Sequence, residues 1–173
     1  MIVFVSDIFA EDYVGGAELT TDGIIQGTDL PLVKLKSQQV TREVIEALKD
    51  RYWVFGNFAH VQTPLLLECV KKLNYSVIEY DYKFCKFRLP EKHIAAEGQC
   101  NCHNETQGKL IALFYHHAKS LWFMSQAQMD IYLDHFPFLR KETTEVLSSI
   151  FDSSSLKLLH DLRNNTKKDV WLI

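Results

Sequence analysis

The chain has 173 residues, 47% hydrophobic and 24% charged, enough for one buried core and ordinary for a globular domain. A formal charge of −3 lacks the basic footprint of a nucleic-acid binder, and no apolar run reaches the ~18 residues that cross a bilayer. Four cysteines are too sparse for a secreted disulfide framework, and "MIVFVSD" carries no basic segment before its apolar run, so a cytoplasmic location with reduced thiols is expected.

The first strand is expected at "IVFVS" (2 to 6), short and β-branched. A loop with an acidic stretch comes next and reaches the pair Gly15 and Gly16, where a helix opens with Glu18 in its first turn. Further strands are expected at "PLVKLKS" (31 to 37), "YWVFGNF" (52 to 58), "SVIEYDY" (76 to 82) and "LWFMS" (121 to 125). Between them run helical stripes. Thr41 caps a segment with Val44, Ile45 and Leu48 on one face; Leu66, Cys69, Val70 and Leu73 form the next stripe, and Leu110, Leu113, Phe114 and His117 another. Ser125 with Gln128 makes a capping box ahead of Met129, Tyr132, Leu133 and Phe136, and Pro137 stops that helix. "TTEVLSSIF" and a final helix, "SSSLKLLHDLRN", complete a domain at 1–163. Residues 164–173 read as a linker at Asn164 to Thr166 and then a buried-type strand, "DVWLI", the expected start of a truncated second domain.

Strands alternating with helices imply βαβ units, and the fold class is α/β, a Rossmann-like parallel sheet flanked by helices. Ligands of such sheets bind beyond the carboxyl ends of the strands, so chemistry is expected in the loops after Ser6, Ser37, Phe58, Tyr82 and Ser125. The glycine pair stands ~9 residues past the first strand, too far for a G-x-G-x-x-G dinucleotide turn, and the phosphate-binding GxxxxGK[ST] is absent. It is a turn that shapes a helix start or the wall of another site. By position, Asp7, Asn57, His60 and Asp81 lie at the carboxyl edge; Asp7 suits substrate binding or, equally, capping of its turn, Asn57 suits substrate binding, and His60 and Asp81 suit a general base, with His60 equally a solvated loop residue.

"FCKFRLPEKHIAAEGQCNCHNETQGK" puts Cys85, Cys100, Cys102 and His103 in one long loop, spaced C-x14-C-x-C-H. Three thiols and an imidazole make a structural zinc set. A chance cluster of reduced thiols and redox or disulfide chemistry are the alternatives. His93 is a further candidate ligand, and Asp81 could orient one. Cys69, on an apolar helix face, reads as a small buried hydrophobe. Lys86 and Arg88 in the same loop suit an anionic acceptor or donor phosphate, or a solvated basic surface.

Two stretches, "FVSDIFAEDYVGGAEL" and "LWFMSQAQMDIYLDHFP", resemble in order the opening strand, loop and Gly-Gly-Ala-Glu helix start of GT-B type glycosyltransferases and a later strand, Ser and helix of their N-terminal domain. The resemblance implies hexosyl transfer from a nucleotide-sugar donor to an acceptor lying in the cleft between two Rossmann-like domains. The N-terminal domain there mostly holds the acceptor, with Gly15 and Gly16 matching the pair whose backbone lines the cleft. The second domain, in cis or on another chain, holds the donor through a basic pair and a glutamate motif that have no counterpart here. On that resemblance the chain is one half of an enzyme, inactive alone; its charge and hydropathy lead one to expect neither nucleic acid as a partner nor a membrane span. A non-catalytic, zinc-stapled α/β binding module and a flavodoxin-like nucleotide-binding domain are the other readings.

Overall fold

In a computed structural model, residues 1–141 and 143–163 are described. The expected class holds: an α/β fold built on a six-stranded, all-parallel sheet flanked by helices, consistent with a Rossmann-like architecture. The strands are β1 (Ile2–Ser6), β2 (Leu32–Lys36), β3 (Tyr52–Phe55), β4 (Asn74–Glu79), β5 (Leu121–Phe123) and β6 (Thr144–Val146), in the order β2-β1-β3-β4-β5-β6. The helices are α1 (Gly16–Gln26), α2 (Arg42–Leu48), α3 (Thr63–Lys72), α4 (Pro90–Glu97), α5 (Thr106–His117), α6 (Gln126–His135) and α7 (Ser153–Arg163). No helix among the described residues is long and apolar enough to cross a membrane. The expected linker and strand at 164–173 lie outside the described residues.

Alternate side chains of each strand serve two cores. Val3, Val5, Trp53, Phe55, Tyr75, Val77, Leu121 and Phe123 meet Ile45, Leu66, Ile111, Phe114 and Tyr132, so α2, α3, α5 and α6 share one face of the sheet. Phe4, Val54 and Ile78 point the other way, onto Ile24 and Ile25 of α1. The larger core is aromatic: Phe114 stacks on Tyr75 (4.6 Å between ring centroids) and meets Phe55 edge-on (5.2 Å). Its polar tips are satisfied, with the Trp53 indole donating to the Leu48 carbonyl (3.0 Å) and the Tyr75 hydroxyl to that of Phe114 (2.6 Å).

The sheet and helix set differ from the expectation in two places. α4 occupies part of the stretch expected as one loop: Pro90 fills its first turn and Gly98, at φ +81°, ends it with a left-handed cap. β6 is a three-residue strand pairing Leu121 with Thr144 and Phe123 with Val146. Both escape pattern reading because they bury little; α4 buries only Pro90 and His93.

Candidate functional site

The strand order reverses between β1 and β3, which places the switch point of the sheet at their carboxyl ends. The last paired positions there are Val5 and Phe55, with Gly56 N–H donating to the Val5 carbonyl (2.9 Å). Asp7 and Asn57 therefore stand two residues past the ladder on adjacent strands. Asp7 accepts a bond from the Ser37 hydroxyl (2.5 Å), which fastens the β1 and β2 ends together. The Asn57 Oδ1 is buried and has no hydrogen-bond partner among the described residues. Gly56 leaves no room beside it: an added Cβ would lie 3.1 Å from the Tyr80 ring and 3.3 Å from that of Phe4.

Gly15 is the N-cap of α1 and Gly16 its first residue. The buried Glu18 carboxylate folds back over Gly15, 2.5 Å from where a Cβ would stand, while nothing among the described residues lies within 4 Å of the corresponding point at Gly16. The helix dipole is thus already met by an internal carboxylate. Gly16, Ala17 and Thr20 line a cleft of about 260 Å³ with Tyr80 after β4, Met124 after β5 and Ser149 after β6. Three side chains tie these loops together. Thr21 and Tyr80 share a hydroxyl bond (2.7 Å), and Gln128 accepts from Met124 N–H (2.8 Å) while donating to the Asp81 carbonyl (2.7 Å).

At the end of β4 a polar network is sealed inside the protein. Glu79 and Lys83 are 1% and 2% exposed, and Lys83 Nζ lies 2.6 Å from Glu79 Oε1. The other Glu79 oxygen accepts from the hydroxyls of Tyr115 on α5 and Tyr132 on α6, and Asp81 N–H donates to Oε1 (3.1 Å). Lys83 also faces Asp81 (3.4 Å) and the Phe58 ring (5.4 Å to its centroid), and Asp81 takes Arg88 Nε at 2.9 Å. Burial raises the Glu79 carboxyl above its ordinary range, with Lys83 opposing, and burial plus the Glu79 charge push both tyrosines well up.

Beyond Lys83 the chain closes a small loop on itself: Cys85 N–H donates to the Tyr82 carbonyl, Arg88 N–H to that of Cys85, and Tyr82 N–H to that of Arg88. Arg88 has φ 60°, an uncommon conformation for a side chain-bearing residue. This loop, α4 and the turn before α5 bring Cys85, His93, Cys100 and Cys102 together, all four ligand atoms within 4.8 Å of one another, compatible with a zinc site. Gly108 of α5 makes that approach feasible, since a Cβ there would fall 2.1 Å from the Cys102 carbonyl oxygen.

Of the expected ligands, three converge and His103 does not join them. Its ring stacks instead on His135 (4.1 Å) and lines a cavity of about 520 Å³ with His116, Phe136 and Phe138; His93 takes the fourth place. The expected site residues scatter by element. His60 is exposed in the loop between β3 and α3. Asp81 has both oxygens engaged by cations. Lys86, exposed, is paired with Glu97 (2.7 Å), and Arg88 lines a small cavity of about 180 Å³ with Thr63 and Gln107. Cys69 is a buried core thiol, its pKa pushed up to about 12 by burial. Glu79 and Lys83 are functional-looking groups that motif and loop position do not select; a glutamate four residues before a lysine, directly after the apolar Val77 and Ile78 of a buried strand, is the signal that marks them.

A scan against protein-family models finds no match, and neither does a search of the curated proteins.

Lys83→Met strands a buried carboxylate and is expected to destabilise the fold by about 3–5 kcal/mol near neutral pH. Because the folded-state pKa of Glu79 is raised, the variant's deficit should shrink as pH falls and Glu79 takes up a proton, and grow as pH rises; urea unfolding of variant and parent across pH measures this. Gly108→Ala, against backbone that no rotamer change can move, is expected to lose about 1–3 kcal/mol despite alanine's better helix propensity, read in the same unfolding experiment.

Proposed function

We propose that this chain is the acceptor-side domain of a GT-B type glycosyltransferase, holding a sugar acceptor at the carboxyl edge of its sheet while a nucleotide-sugar domain, in cis or on another chain, presents the donor. The observation that carries this reading is the Asn57 Oδ1 at the switch point, buried and without a hydrogen-bond partner among the described residues, an acceptor that a small turn of its side chain would offer to a ligand hydroxyl. Glu18 over the start of α1 repels phosphate there, which favours a hydroxyl-rich acceptor on this wall and assigns the donor diphosphate to the other domain. It also weighs against the flavodoxin-like nucleotide site. The open space at Gly16 lets a sugar ring approach backbone closely. His60, exposed in the β3–α3 loop, is the better candidate for the base that takes the acceptor proton, because both Asp81 oxygens are held by cations. A non-catalytic, metal-stapled binding module is the second reading, favoured by the thiol and imidazole cluster.

The purified chain is expected to bind saccharides on a glycan array, to lose that binding when Gly16→Leu fills the open space, and to bind about two- to tenfold more weakly as Asn57→Ala, the equivalent of one hydrogen bond. Circular dichroism should show both variants folded. Sugar transfer from UDP- or GDP-sugars should require the added donor domain; no saccharide binding, or transfer by the chain alone, would contradict the reading.

A further inference from the structure

We infer that Cys85, His93, Cys100 and Cys102 form a closed, four-coordinate zinc site with Glu97 as the outer partner of its histidine, a site that stands apart from the sugar-transfer reading. The spacing is C-x7-H-x6-C-x-C. Zinc bond lengths of about 2.3 Å to sulfur and about 2.0–2.1 Å to nitrogen, set at tetrahedral angles, give ligand-to-ligand edges of about 3.8 Å between sulfurs and about 3.6 Å between sulfur and nitrogen. The Cys85 and Cys100 sulfurs are 3.7 Å apart, and His93 Nδ1 lies 3.5 Å from the Cys85 sulfur and 3.4 Å from that of Cys102. Three edges of a tetrahedron are therefore present at metal-ligand length. Packing of reduced thiols alone has no reason to converge on a common centre, and three thiols cannot all pair as disulfides.

The setting of the histidine points the same way. His93 Nε2 is 3.0 Å from Glu97 Oε2, one turn along α4, so the ring donates its Nε2–H outward and turns the Nδ1 lone pair towards the thiols. A carboxylate behind a metal-bound imidazole fixes its orientation and tautomer in this way. Phe87 stacks on the ring (4.8 Å), and Lys86 holds Glu97 in place (2.7 Å). Soft thiolates with one imidazole select zinc over magnesium or calcium. Cys85, His93 and Cys102 are each under 5% exposed, so four protein ligands close the site and leave no position for substrate; it is a structural centre. The same burial explains its use. α4 contributes only Pro90 and His93 to the interior, and the ion substitutes for the apolar contact this segment lacks.

The full chain, expressed without a metal-binding tag, is expected to carry close to one zinc per molecule by elemental analysis. Cobalt substitution should give intense tetrahedral d–d bands and a thiolate charge-transfer band. His93→Ala and Cys102→Ser should lose stoichiometric metal, and His103→Ala should keep it. Glu97→Gln, which leaves all four ligands in place, should remain folded and bind zinc about 10–100-fold more weakly in chelator competition. A wild-type chain that takes up neither zinc nor cobalt, an octahedral cobalt spectrum, iron in place of zinc, or loss of metal in His103→Ala with retention in His93→Ala would each overturn the assignment.

Discussion

The Glu79 carboxylate lies at the carboxyl end of a central strand with no access to water, and the next turn of the chain is arranged around satisfying it. Its two oxygens collect Lys83, the hydroxyls of Tyr115 and Tyr132, and the backbone of the loop it precedes. An ion pair at this depth adds little net stability over an apolar substitute, yet removing one partner is costly because the other charge stays buried. Its consequence is positional. One carboxylate ties β4 to α5 and α6 and makes residues 80–83 turn back over it, which fixes where the loop to Cys85 begins.

Beyond Phe84, which is buried against Tyr132 and Phe136, the segment to α5 sends little apolar material into the core. α4 is eight residues long, Lys86 and Glu97 are exposed, and the chain is held at intervals by polar contacts: Asp81 with Arg88, His93 with Glu97, and the convergence of three thiols. The contact of Gly108 with the Cys102 carbonyl seats that convergence against the hydrophobic core. The same β4 loop reaches the cleft through Tyr80, bonded to Thr21 of α1, and through Asp81, whose carbonyl takes Gln128. The shape of the proposed acceptor wall and the integrity of the cysteine cluster are thus mechanically joined.

Much of the sheet is legible in the sequence. The runs at 2–6, 52–58 and 76–82 are β-branched or aromatic with turn residues after them, and β1, β3 and β4 lie inside them or within two residues of their starts. Ser125 caps α6 as its spacing implies, though Gln128 reaches Met124 N–H instead of closing the box on Ser125. β6 and α4 are hidden because a three-residue strand with little burial and a helix with two buried residues carry no periodicity. The histidine of the cluster shows a limit of another kind. His103 directly succeeds Cys102, but the two share a short 3₁₀ turn, in which consecutive side chains fan apart by about a third of a turn, so they do not face one centre. His93 is distant in sequence and arrives only through the placement of α4. The tyrosine partners of Glu79 are illegible for a similar reason: Tyr132 is absorbed by an apolar stripe, Tyr115 stands outside one, and both reach the carboxylate only through the placement of α5 and α6.

Apart from Tyr82 and Phe84, which pack on Tyr132 and Phe136, residues 80–105 are held by polar contacts and, on the proposed assignment, by metal ligation, in contrast to the aromatic packing that holds the strands. Amide hydrogen exchange on the zinc-loaded chain before and after chelation tests this division most directly. Protection is expected to fall across 80–105 and the first turn of α5, while β1, β3 and the core of α3 keep theirs. Unchanged exchange in 80–105 after verified metal removal, or an equal loss throughout the sheet, would contradict it.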